Sequence, residues 1–185
     1  AARWQGELEG ALETLVRRLS SAELDIDKDR VSQPGIHVHH GKGGGYFKRA
    51  VRWMKEAEKR GYDALVLVID QDDYQVRNEQ IAQAQNYVGT TMRRALGVAV
   101  RTFDAWMLAD EMALTTVLEY AINRQPDPET IRHPKRAFGE LLEQMGNPRK
   151  VTEIYSEIAQ AMNINLLETR CPNGFGLFAQ RVRAL

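Results

Sequence analysis

The chain of 185 residues carries 25 basic and 25 acidic side chains, so its net charge is zero and a globally basic nucleic-acid-binding surface is excluded. The length suits one domain with a sizeable core. The single cysteine, Cys171, excludes an internal disulfide, and we expect a cytoplasmic protein. Every apolar stretch is shorter than the ~20 residues that a membrane-spanning helix requires, so we expect no membrane association.

The first part of the chain predicts two helices separated by polar segments and a short strand. Apolar residues recur at helical spacing over 8–20, and a second helix is expected over 46–60, ending at Gly61. Between these helices, residues 24–34 are polar and turn-like, and GIHVHH (35–40) is expected to form a strand. This alternation is a first indication of an α/β fold.

A buried strand followed by acidic residues is the clearest signal in the sequence. Residues 64–69 end in five consecutive aliphatic side chains, and Asp70, Asp72 and Asp73 follow at once. Such a run is typical of a strand buried on both faces of a parallel sheet, where ligands bind beyond the carboxyl ends of the strands. Strand alternation should place Asp70 and Asp72 on one side, where two carboxylates repel unless a cation lies between them. The pattern therefore predicts a site for a hard divalent cation such as Mg²⁺.

The remaining sequence predicts one more strand among helices. The expected elements are, in chain order, a mainly helical segment (75–95), a strand (97–103), a helix with Asp104 as its N-cap (104–122), helices near 135–145 and 151–162, a turn (171–174) and a terminal helix. Alternating strands and helices predict an α/β fold with a small, mostly parallel sheet flanked by helices. We expect a core over 1–122 and a mainly helical C-terminal extension over 123–185, packed together as one compact unit.

Several short motifs resemble those of Toprim domains, which pair a glutamate after the first strand with an Asp-x-Asp after a later one. EGALE (9–13) resembles the first motif and DQD (70–72) the second. FDAWMLAD (103–110), HPK (133–135) and CP (171–172) resemble a bacterial Toprim-like family of unknown function. Members of that family are often encoded beside an AAA-type ATPase and are similar to the Toprim nuclease domain of OLD-type (overcoming lysogenization defect) systems.

This resemblance, which covers most of the chain, implies a Toprim/Rossmann-like fold and a metal-dependent nuclease. It implies cleavage of DNA or RNA phosphodiesters with an AAA/ABC-type ATPase partner, in a bacterial defence or nucleic-acid-processing system. Glu9 would be a metal ligand or general base, and Asp70 and Asp72 would bind Mg²⁺ or Mn²⁺. Asp73 would be an outer ligand, and Asp104, where the family usually has a glutamate, a further ligand.

Three lysines are candidate phosphate-binding residues. Lys42 lies in GKGGG (41–45), whose glycine amides could cradle an anion, although the composition favours a flexible connector. It is not a Walker A loop, because neither Ser nor Thr follows the lysine. Lys48 and Lys135 are the other two candidates, and Lys135 could instead cap a helix.

Alternatives remain open at this stage. Glu7 can replace Glu9, because the residues before it form a poor strand. The acids after 64–69 can be a solvated turn, and the domain can serve as a regulatory or scaffolding subunit with little or no catalysis. A phosphoacceptor domain of the response-regulator or phosphatase kind is a third hypothesis, with Thr102 as its hydroxyl residue but without a well-placed lysine after it. The oligomeric state, including a homo-oligomer, is also left open.

Overall fold

A computed structural model describes residues 2–4, 9–30, 45–144, 146 and 149–185. The strands are β1 (Ala2–Trp4), β2 (Lys28–Arg30), β3 (Ala64–Asp70) and β4 (Arg93–Ala99). The helices are α1 (Glu9–Leu19), α2 (Tyr46–Lys59), α3 (Val76–Gln85), α4 (Asp104–Met107), α5 (Glu111–Leu118), α6 (Pro134–Gln144), α7 (Val151–Ala161), α8 (Ile164–Arg170) and α9 (Leu177–Arg183). A 3-10 turn (Pro128–Thr130) precedes α6, and a π-helical turn (Pro172–Gly176) precedes α9. The strand predicted over 35–40 lies outside the described residues.

The strands form one parallel sheet in the order β2-β1-β3-β4. Strands β3 and β4 pair over seven positions, from Ala64 opposite Arg93 to Asp70 opposite Ala99. Helices flank the sheet and form the C-terminal part of the chain, so the predicted α/β class is confirmed. Because the strands are parallel, their carboxyl ends meet at one edge, where the segments after Asp70 and Ala99 lie next to each other.

Both faces of β3 are buried, as the aliphatic run predicted. Along β3, Val66 and Val68 pack in one apolar cluster with residues of α1, α7 and α9; we call this side the α1 face. Leu65, Leu67 and Ile69 pack in a second cluster with residues of α2 and α3, on the α2 face. Since side chains alternate along a strand, Asp70 continues the row of Val66 and Val68 on the α1 face.

Two element boundaries differ from the prediction in the middle of the chain. The helix expected over 75–95 ends at Gln85, and β4 begins at Arg93, before the strand expected over 97–103. Pairing with β3 explains the early start of β4, because every residue from Arg93 onward has a partner there. The polar segment 24–34, expected to be turn-like, contains β2, which pairs with β1.

The helix predicted over 104–122 is divided into α4 and α5. Asp110, rather than Asp104, is the N-cap, and its carboxylate accepts hydrogen bonds from the N–H groups of Met112 and Ala113. The other carboxylate oxygen of Asp110 accepts from the N–H of Asn163, at 2.7 Å. The break therefore lets one acidic side chain cap α5 and hold the start of α8.

The C-terminal helices pack directly on the sheet and on α1. Helix α7 contacts α1, and α9 contacts β4. A glycine permits the second contact, because a Cβ at Gly97 would lie 2.8 Å from the ring of Phe178. Residues from both predicted parts, 1–122 and 123–185, thus share the apolar cluster of the α1 face.

Side chains occupy the outer edge of β4. The amide of Gln85 accepts from the N–H of Leu96 at 2.9 Å and donates to the carbonyl of Arg94 at 3.0 Å. The guanidinium of Arg181 donates to the carbonyl of Leu96. These bonds give the backbone of an edge strand the partners that a neighbouring strand would otherwise supply.

No helix in the described ranges is long and apolar enough to cross a bilayer.

Candidate functional site

Asp70 is the last residue of β3 and is largely buried at the carboxyl edge of the sheet. Its Oδ1 accepts a hydrogen bond of 2.8 Å from the N–H of Phe103, just beyond β4. Burial, together with the negative charges of Asp72 and Asp104, raises the pKa of Asp70 to about 6, although the N–H of Phe103 and the charge of Arg77 act in the opposite direction. An acidic side chain is therefore held firmly in a place that disfavours its negative charge.

Asp72 lies beyond the strand, in a left-handed turn with φ 50°. Its N–H donates to the carbonyl of Arg101 at 2.7 Å, which joins the segments after β3 and β4. Because β3 ends at Asp70, the strand alternation used in the prediction does not extend to Asp72. The effect of Asp72 on the pKa of Asp70 nevertheless indicates that the two carboxylates interact.

Arg77, on α3, partly neutralises these acids. Its guanidinium donates to the carboxylate of Asp72 and, at 2.7 Å, to the backbone carbonyl of Asp70. The guanidinium carbon lies 4.9 Å from the ring centre of Tyr46 and 4.8 Å from that of Tyr74. Arg77 is thus clamped between two aromatic rings and carries a fixed positive charge beside the acids. It did not emerge from the sequence, although its position at the start of the helix that follows the acids was a usable signal.

Asp73 and Asp104 have different surroundings. Asp73 is exposed and forms an ion pair of 2.8 Å with Arg101, itself in a left-handed conformation with φ 62°. Asp104 is buried at the start of α4, and its Oδ1 accepts a hydrogen bond from the hydroxyl of Tyr155. The negative charge of Asp104 contributes to the raised pKa of Asp70, and Phe103, whose N–H binds the carboxylate of Asp70, directly precedes Asp104 in the chain.

A cleft of about 520 Å³ lies between the acids and a basic segment, residues 132–136, which includes the first residues of α6. One wall contains Asp72, Asp73, Arg101 and Thr102, and the other is formed by residues 132–136, which include Lys135. The structure thereby brings one predicted phosphate-binding lysine to the predicted acids, from more than 60 residues further along the chain. Arg101 and Arg132 were not predicted; the position of Arg101 just after a strand was the available signal.

The other predicted residues are placed less directly. Glu9 is the first residue of α1, which packs on the same face of the sheet as Asp70. Lys48 is exposed on α2 and does not line the cleft. Lys42 and Glu7 lie outside the described residues.

The donor atoms of the site are consistent with a hard cation. Within the described residues, no group of three or more His, Cys, Asp or Glu side chains is arranged to hold a metal ion. Mg²⁺ does not need such a group, because it is commonly bound through one or two carboxylates together with water and substrate phosphates. Asp70 and Asp72 supply two carboxylates at this edge of the sheet, and the charge of Asp72 contributes to the raised pKa of Asp70, while Asp72 is itself paired with Arg77.

The resemblance of EGALE (9–13) and DQD (70–72) to the Toprim motifs stays a prediction. A small parallel sheet flanked by helices occurs in many α/β proteins with unrelated activities, so the fold does not decide between them. The functional argument accordingly depends on the cleft and its side chains. No protein-family model matches the chain, and neither a curated protein nor a solved structure matches it significantly.

Proposed function

We propose that this protein is a Toprim-like nuclease that uses Mg²⁺ or Mn²⁺ to hydrolyse phosphodiesters of DNA or RNA. The observation that carries the proposal is the cleft in which Asp72 and Asp73 face the basic segment 132–136, with Asp70 buried beside it. A phosphodiester requires positive groups for its oxygens and a site for a cation that activates water. This cleft offers candidates for both within one small volume.

The side chains suggest a division of roles. Asp70 and Asp72 would hold the cation, with Asp73 and Asp104 supporting it and Glu9 as a further ligand or general base. When bound, the cation would neutralise phosphate oxygens and lower the pKa of an attacking water. Lys135 and the other basic residues of the segment 132–136 would hold the phosphate from the opposite wall of the cleft. The N–H of Phe103 would keep the carboxylate of Asp70 in a single orientation.

A cleavage assay tests the proposal. The purified protein is incubated with single- and double-stranded DNA and RNA, in Mg²⁺ or Mn²⁺, and compared with Asp70→Asn and Asp72→Asn. Asp63→Asn is the matched control, because Asp63 is exposed just before β3 and outside the cleft. We expect metal-dependent cleavage that only the two cleft variants lose. Absence of cleavage by the unaltered protein, alone and with its ATPase partner, would refute the proposal.

The ATPase partner and the biological setting belong to the same proposal. By resemblance, an AAA/ABC-type ATPase would regulate the nuclease in bacterial defence or nucleic-acid processing. Co-purification of the protein with the product of a neighbouring ATPase gene, followed by cleavage assays with and without ATP, tests this part separately.

A second candidate function is a regulatory or scaffolding subunit without catalysis. It is favoured by the partners that the acids already have: Asp72 bonds to Arg77, Asp73 to Arg101 and Asp104 to Tyr155. A cation would have to compete with at least the two arginines. Isothermal titration separates the candidates, because a regulatory subunit would bind neither Mg²⁺ nor Mn²⁺, whereas the nuclease would bind one of them through Asp70 and Asp72.

A further inference from the structure

Helix α2 carries a row of positive charges along its exposed face. The four cations Lys48, Arg52, Lys55 and Lys59 are spaced by four, three and four residues, so they lie on one side of the helix. All four are exposed. The opposite side of the helix is buried in the apolar cluster of the α2 face, through Ala50, Trp53, Met54 and Ala57.

The acidic residues beside this row are already engaged. Glu56 pairs with Arg60 at 2.8 Å, and Glu58 accepts hydrogen bonds of 3.2 and 3.0 Å from Thr90 and Thr91. None of the four cations in the row forms an ion pair with a described residue. Because the net charge of the chain is zero, the row is a local concentration of positive charge and not part of a surface that is basic overall.

The row begins next to the candidate site. Tyr46, the first residue of α2, lies against the guanidinium of Arg77, which binds the carboxylate of Asp72. Lys48 follows two residues later, and the row then extends away from the acids over eleven residues, or about 16 Å of helix. Positive charge thus continues outward from the edge of the sheet that holds the carboxylates.

We propose that the row Lys48–Arg52–Lys55–Lys59 binds the phosphodiester backbone of a nucleic acid whose scissile end enters the cleft. This inference rests on the proposed function for the chemistry at the acids. The row suits this occupant, because a nucleic-acid backbone carries closely spaced negative charges, one phosphate on each strand of a duplex about every 3.4 Å along the axis, and the four cations would meet several of them along about 16 Å of helix. A membrane surface fits less well, because an interfacial helix needs an exposed apolar side and that of α2 is buried in the core.

A pair of charge reversals tests the inference. Arg52→Glu with Lys55→Glu changes the middle of the row. Arg124→Glu with Lys150→Glu is the matched control, because both residues are exposed, lie outside the cleft and α2, and give the same change in net charge. Binding of fluorescent DNA and RNA oligonucleotides is measured in EDTA, at several salt concentrations, so that no cleavage occurs. Thermal unfolding confirms that each variant folds. If the charge reversal does not fold, Arg52→Gln with Lys55→Gln replaces it in the binding assay.

We expect the affinity of the row variant to fall more than tenfold, while that of the control changes little. The plot of the logarithm of the binding constant against the logarithm of the salt concentration should become less steep by about 2. Equal affinities of row variant and control would overturn the inference, even if the protein cleaves nucleic acid. Row-dependent binding by a protein that never cleaves would sustain the inference and refute the nuclease. Row-dependent binding to phosphatidylserine vesicles or to polyglutamate, with none to oligonucleotides, would overturn it in favour of another partner.

Discussion

The hydroxyl of Tyr155 donates a hydrogen bond to the carboxylate of Asp104, and only 2 % and 7 % of these residues' surfaces are exposed. This bond connects α7 to the start of α4 beside the predicted metal site. Tyr155→Phe would leave a buried carboxylate without this donor, and we expect a loss of about 1.5–3 kcal/mol in the free energy of unfolding, measured in urea. Tyr120→Phe is the control, because Tyr120 is exposed, and it should change stability by less than about 0.5 kcal/mol. Equal effects of the two changes would contradict a stabilising role for this bond.

The buried carboxyl of Asp70 should make stability depend on pH. Its pKa rises from 3.8 to about 6 on folding, so the folded state binds more protons between these values. The contribution of Asp70 to the free energy of unfolding should therefore be greatest below pH 4. It should fall by at most about 3 kcal/mol as the pH rises through 6. Asp70→Asn keeps an acceptor for the N–H of Phe103 without the charge, and should remove this component. Urea unfolding of both proteins from pH 4 to pH 7 measures it, and identical pH profiles would disprove the assignment.

Two glycines should respond to alanine in opposite ways. Gly97→Ala would force its Cβ against the ring of Phe178, which packs on Trp106 in the core. We expect a loss of about 1–3 kcal/mol in the free energy of unfolding, because such overpacking cannot be relieved easily. At Gly139, inside α6, a Cβ would meet no atom within 4 Å, so Gly139→Ala should stabilise by about 0.5–1 kcal/mol through helix propensity. Chemical denaturation of the two variants measures both effects, and a gain in stability for Gly97→Ala would contradict the close packing of α9 on β4.

The basic wall of the cleft should act in substrate binding. Arg132→Gln with Lys135→Gln removes two positive charges that face Asp72 and Asp73. Because these groups would hold the phosphate equally in the bound substrate and the transition state, we expect KM to rise about tenfold with little change in kcat. Steady-state kinetics on a labelled oligonucleotide, with Arg124→Gln as the control, measures this. A fall in kcat alone would place the two residues in the chemical step instead.

The features that the sequence predicted are those that depend on residues close together along the chain. The aliphatic run before Asp70 was sufficient for β3 and for the burial of both its faces, and apolar periodicity was sufficient for α1. The start of β4 was missed because its pairing with β3, rather than its own pattern, decides where the strand begins. The division of α4 from α5 was missed because Asp110 is fixed partly by Asn163, 53 residues away.

In the candidate site, too, the parts that a local sequence pattern marks were predicted, and the parts that depend on contacts between distant segments were not. Asp70, Asp72 and Asp73 were recognised because they are consecutive with a strand, whereas the positive groups beside them come from separate elements. Arg77 reaches back from α3, and the basic segment 132–136 closes the cleft from beyond α5. Local patterns carry no information on such encounters, so Arg77, Arg101 and Arg132 were missed, and Lys135 was predicted as a phosphate-binding residue without its place in the cleft.

The bonds of Gln85 and Arg181 to β4 also limit how this protein can associate with others. A partner that binds by β-augmentation adds its strand to backbone groups that have no hydrogen-bond partner, and the carbonyl of Arg94 and both backbone groups of Leu96 are occupied. The side-chain cover likewise hinders edge-to-edge aggregation, to which the end of an open sheet is prone. An ATPase or a second copy of this chain that approaches from this side would therefore have to bind through side-chain surfaces rather than extend the sheet.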